Sequence, residues 1–258
     1  VKVAAGFFCL IMLLTGIVHA AADVFDRSAE VEKYLPVFQS GTRGAVIEAS
    51  REIYNAGISD ARLAAAINDR VLSDFKAVHR DDKIGQQYVQ WAVKALAANG
   101  IEENATTLRR IGKEGAGRNI GGLCKQEREK IPWYKTRNEL MASTKNHRDG
   151  DDPQASRILN LLLADDFSYK LYAADLMNWQ RKLDPRLFEA IEKQVLQNMD
   201  VTVAGTPHDR AKTIGLYIKL LGYSGNVRYR DTLHKVLASK ASFQTKKHAG
   251  EALERLRQ

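Results

Sequence analysis

The sequence predicts an all-α fold, a continuous stack of antiparallel helix pairs assembled as a tandem duplication. Three observations lead to this. Apolar residues recur at spacings of three and four nearly throughout, as in Leu63, Ile67, Val71 and Phe75 or Leu187, Ile191, Val195 and Met199. That spacing puts them on one side of a helix, and no alternating run is long enough for a sheet. Two stretches, Ala95 to Arg128 and Leu220 to Leu256, share one grammar: helix end, glycine turn, amphipathic helix, polar break, second amphipathic helix.

The two copies overlay at a nearly constant offset. At 125 residues Lys94 falls on Lys219, Leu96 on Leu221, Gly100 on Gly225, Thr107 and Leu108 on Thr232 and Leu233, and Ala116 on Ala241. Upstream the offset is 124, pairing Ala49 with Ala173, Asp60 with Asp184, Arg62 with Arg186, Leu63 with Leu187 and Ile67 with Ile191.

In chain order, residues 1–20 read as a signal peptide. Lys2 supplies the positive start, Val3 to Val18 the apolar run, and Val18-His19-Ala20 the small residues of a cleavage site before Ala21, with Asp23 second. An uncleaved anchor is the alternative, since about 20 apolar residues span a bilayer. Residues 21–43 form an N-terminal capping segment holding a helix at 28–39. The first helical-repeat half, 44–144, carries helices at 44–56, 61–77, 83–98, 102–114, 119–131 and 133–146. Asp60 caps one of these, and Gly57 and Gly100 close others in the left-handed backbone. A solvated acidic linker, KNHRDGDDP at 145–153, leads into the second half, 154–258. Its helices fall at 154–164, 167–182, 185–199, 207–222, 227–239 and 242–257. Asp184-Pro185 and Thr206-Pro207 supply caps with proline at the first helical position, and Gly222 and Gly225 mark ends. Connections of about two to six residues make successive helices antiparallel neighbours. Such pairs bury their apolar faces only against neighbours, so the linker joins one stack.

Two segments, RILNLLLADDFSYKLYAADLM and TKKHAGEALERL, resemble the paired helices of HEAT and armadillo-type repeats, with Ala173, Ala174 and Ala249 where such helices pack closely. The likeness covers most of residues 44–257. Asp60 with Arg62 and Asp184 with Arg186 keep a capping acid and a nearby base, without the standard HEAT separation. The resemblance implies an alpha-solenoid that presents a surface to a partner, and fold alone does not establish function.

The chain carries a net charge of +8, unevenly spread. Between Arg109 and Arg148 there are 11 basic and 4 acidic residues, and between Arg210 and Gln258 there are 11 and 3, so positive charge sits late in each half. Arg109, Arg110 and Arg118 in the first half and Arg228, Arg230, Lys235, Lys246 and Lys247 in the second are the candidate partner-binding residues. Projecting to one side of the solenoid, they would form two separated positive patches able to meet an acidic protein, an anionic envelope polymer or a lipid head group. The bland alternative is solvated cations on scattered faces. Nucleic acid fits the charge, but the export signal argues against it.

Chemical motifs are sparse. Gly115, Gly117, Gly121 and Gly122 miss the dinucleotide pattern at Ile120 and follow a helix. Asp149, Asp151 and Asp152 lack EF-hand spacing, and the histidines form no close metal pair. Cys124, once Cys9 leaves with the signal, reads as a small buried thiol. Trp133 packs or anchors a partner, and Trp179 is open to either reading. The expected protein is therefore a noncatalytic exported scaffold for a protein or peptide, without cofactor or metal, in a bacterial periplasm, or else secreted or membrane-anchored. A binder of an anionic envelope ligand comes second, and an enzyme with a groove-assembled site third.

Overall fold

The computed structural model describes residues 24–115, 119–201 and 208–257. The signal segment, Arg118 and the Thr206 cap lie outside them. Among the described residues there are thirteen α-helices: α1 (Ser28–Ser40), α2 (Arg43–Ala56), α3 (Ala61–Asp74), α4 (Lys83–Ala98), α5 (Asn104–Glu114), α6 (Ile120–Glu129), α7 (Ile131–Ala142), α8 (Pro153–Leu162), α9 (Phe167–Gln180), α10 (Pro185–Asn198), α11 (His208–Tyr223), α12 (Arg230–Ala238) and α13 (Phe243–Arg255). The fold is all-α, with helices packed in sequential pairs. No described helix is long and apolar enough to cross a membrane.

Local chemistry sets most boundaries. The Asp60 carboxylate accepts from Leu63 N at 2.9 Å and that of Asp184 from Arg186 N at 2.9 Å, so both cap their helices. Gly57, Gly100 and Gly225 have positive φ. Gly222 does not behave as a left-handed cap. It lies inside the last turn of α11, where an added Cβ would stand 2.7 Å from Ala252, and its job is to let α11 and α13 approach.

Two further expectations need correction. The helix expected at 133–146 stops at Ala142, because outside donors reach its last carbonyls: Asn160 Nδ2 bonds Leu140 O and Ser143 O, and Phe25 N bonds Ala142 O at 2.7 Å. The acidic linker is knit into the fold as well as solvated. Asp152 caps α8 and pairs with Lys182 at 2.6 Å, while Asp151 pairs with Arg186.

Helix bounds recur along the chain. α2 and α9 begin and end 124 residues apart, as do α3 and α10, and α4 and α11 are 125 apart. The packing recurs too, with α2 on α4 and α9 on α11, and α5 on α6 and α12 on α13. Two apolar cores follow, one from Val31 to Tyr134 and one from Met141 to Leu256. Helix α7 belongs to both, giving Ile131 and Tyr134 to the first and Met141 to the second, while Trp133 packs against each.

Candidate functional site

The C-terminal ends of α2 and α4 lie side by side under α7. Arg137 of α7 is fully buried. Its guanidinium donates to Tyr54 O and Ala98 O, both at 2.9 Å, and to Asn138 Oδ1, while Asn138 Nδ2 donates to Ala98 O and Asn99 O. One cation thereby answers the negative ends of two helices, where the last carbonyls lack partners of their own. Tyr134 and Tyr172 rings flank the guanidinium at 4.8 and 5.3 Å. Contact is so close that a Cβ on Gly100 would stand 2.8 Å from the Lys135 backbone, and one on Gly57 would strike Met141.

A second cation group braces the same end. Arg27 donates to Ala56 O at 2.9 Å and to Glu30 at 2.7 Å, and Glu30 also pairs with Arg157 of α8 at 2.8 Å. Burial pushes the Glu30 carboxyl up, but the hydrogen bond from Arg27 and the charges of both arginines outweigh it and hold the group below its ordinary value. Burial likewise lowers Arg27.

In the second half the matching end, formed by α9 and α11, has no helix over it among the described residues. An apolar groove of about 530 Å³ opens there. Met177, Phe188 and Leu220 form its buried floor, and Leu183 and Tyr223 its exposed walls. The exposures decide the contrast. Ala98 is 0% exposed whereas Tyr223, 125 residues on, is 54% exposed, and Leu183 and the adjacent Trp179 are each 65% exposed. A Cβ on Gly225 would meet nothing within 4 Å, unlike one on Gly100. Arg181 and Lys182 line the rim, Lys182 paired with Asp152 at 2.6 Å and Arg181 with no carboxylate among the described residues, and Arg255 lies over the Tyr223 ring at 4.4 Å.

The described cations among those expected from the sequence differ in what they touch. Arg110 meets Glu114 at 3.6 Å, and Arg228 meets Glu189 and Glu192 at 3.3 and 3.5 Å. Arg230 donates to Leu256 O at 2.8 Å, closing α13. Arg109, Lys235 and Lys247 are exposed, Lys246 is half-buried, and none of these four forms an ion pair among the described residues. Arg118 lies outside those residues. Trp133 packs, stacking on Tyr169 at 5.1 Å and donating to Ser168 Oγ at 2.8 Å. Cys124 is buried, and burial pushes its thiol up to about 12. Among the described residues no group of three or more His, Cys, Asp or Glu is placed to hold a metal ion.

The groove residues belong to no chemical motif. A signal was nonetheless present in the 124–125 offset, which sets Leu183 against Ser59 and Tyr223 against Ala98, large apolar residues where the first half has small ones. The class the fold defines is that of all-helical proteins. No family model matches the chain, and neither a curated protein nor a solved structure matches it significantly.

Proposed function

We propose that this protein is a noncatalytic exported scaffold, a HEAT/armadillo-like alpha-solenoid built by tandem duplication, that holds a protein or peptide partner in the groove at the ends of α9 and α11. The observation that carries the reading is the open apolar end of the second half. A groove with an apolar floor and exposed Leu183 and Tyr223 walls, with Trp179 also exposed near the end of α9, is the kind of surface that partners cover. Recurring helix bounds support the duplication, and packing in sequential pairs supports the solenoid. The N-terminal apolar run and Val18-His19-Ala20 support export, to a bacterial periplasm before the medium or a membrane anchor.

The test is a photo-crosslinking amino acid at Leu183 in cells making the full chain, with a control at exposed Ile84 at the start of α4. The expected result is one identifiable protein adduct from position 183 and none from 84. No adduct, or the same adducts from both, overturns the reading.

A second reading, an anionic envelope ligand on α12 and α13, is favoured by Lys235, Lys246 and Lys247, which form no ion pair among the described residues. It requires binding that weakens steeply with salt and vanishes when all three become Glu.

A further inference from the structure

From the comparison of the two ends, and resting on the scaffold reading above, we infer that the groove's occupant is an amphipathic α-helix of a partner protein with carboxylates flanking its apolar stripe.

The helical form follows from the molecule's own precedent. At the end of α2 and α4 the same arrangement of two packed helices is covered by a helix, α7, which lays Tyr134, Arg137 and Met141 onto them. At the end of α9 and α11 the carbonyls of Asn178 and Tyr223, the counterparts of Tyr54 and Ala98, receive no side-chain donor among the described residues. Gly225, where Gly100 lies against the α7 backbone, faces open space. The floor of Met177, Phe188 and Leu220 offers an apolar bed between projecting Leu183 and Tyr223 walls, the geometry that receives residues spaced three and four apart on a helix.

The charge of the occupant follows from the rim. Lys182 is committed to Asp152. Arg181 and Arg255 pair with no carboxylate among the described residues, and the groove lining has none to offer. Two full positive charges outweigh the partial negative charges, about half a unit each, at the ends of α9 and α11. A guest bearing Glu or Asp beside its apolar stripe is therefore favoured over one bearing Lys. Tyr223 itself, an aromatic with a polar tip beside Arg255, is the residue type that dominates such contacts.

The experiment uses the full chain and two designed 18-residue helical peptides that share one leucine stripe, flanked by Glu in one and Lys in the other. Fluorescence anisotropy of the labelled peptides should show the Glu peptide binding at least about tenfold more tightly than the Lys peptide. Leu183→Glu should weaken the Glu peptide by about tenfold or more, and Arg181→Glu should narrow or reverse the gap between the two. Both positions are exposed, and an unchanged thermal melt confirms that the variants are folded. Equal binding of the two peptides, or indifference to both substitutions, overturns the inference. So does a preference for phosphatidylglycerol vesicles over the Glu peptide that is lost in Leu183→Glu, which would make the groove a lipid-docking site. If neither peptide binds while the Leu183 crosslinker still yields its protein adduct, the helix inference fails and the scaffold reading survives. If the crosslinker also yields nothing, both fail.

Discussion

The end of α2 and α4 and the end of α9 and α11 are built from corresponding helices, yet one is closed and the other open. At the closed end Arg137 serves two helix termini, Gly100 touches the α7 backbone and Ala98 is fully buried. At the open end Tyr223 and Leu183 stand where small residues stood. The difference teaches that burial at a helix end depends on a neighbour as much as on the helix itself. A residue at one place in the recurring helix pattern is core at one end and surface at the other.

Substitutions can break or sharpen this contrast, and the largest effect is expected at Arg137. Arg137→Ala takes the charged donor from the carbonyls of Tyr54 and Ala98 and opens a buried void, so a loss of about 3 kcal/mol or more is expected in urea unfolding. Removing the exposed counterpart surface should cost far less. Next comes the glycine pair. Gly100→Ala combines left-handed strain with a backbone clash and should cost about 2–4 kcal/mol. Gly225→Ala meets only the strain, about 1–2 kcal/mol. Equal losses at the two glycines would refute the claim that one end is covered and the other bare.

The charge brace at the closed end should respond to acid. Because the Glu30 carboxyl is held below its ordinary 4.5, the stability it adds is complete above that value and is lost as the pH falls through its lowered one. Glu30→Gln should therefore flatten the acid limb of the stability curve measured between about pH 5 and 2. A variant whose acid limb matches the parent would remove Glu30 from the brace. Smallest of all, Trp179→Ser and Leu183→Ser at the open end should change stability by no more than about 0.5 kcal/mol while weakening partner capture. A loss of several kcal/mol would mean that the open end is packed after all.

Much of the fold was legible because helix signals are local. Asp60, Asp184 and the apolar positions Leu63 to Phe75 and Leu187 to Met199 state their helices within a single turn or two. What escaped depends on distant residues. Nothing near Ala142 announces that α7 ends there, since the reason is Asn160 and Phe25 reaching its carbonyls from elsewhere in the chain. Gly222 looked like a cap until Ala252 was beside it. The site was less legible still. Counting cations found Arg230 and Arg228 but not that one closes α13 and the other pairs with two glutamates. The groove consists of ordinary apolar residues whose meaning comes from having no described helix over them, and composition cannot express that.

The double membership of α7 has a mechanical consequence. Tyr134 belongs to one core and Met141 to the other, seven residues apart on one rigid rod. In the solenoid proposed above, force pulling the two cores apart would peel helices from the outside inward, because stacked helix pairs yield one neighbour at a time. The joint between the halves would then be the last part of the molecule to come undone, and the seam its strongest point.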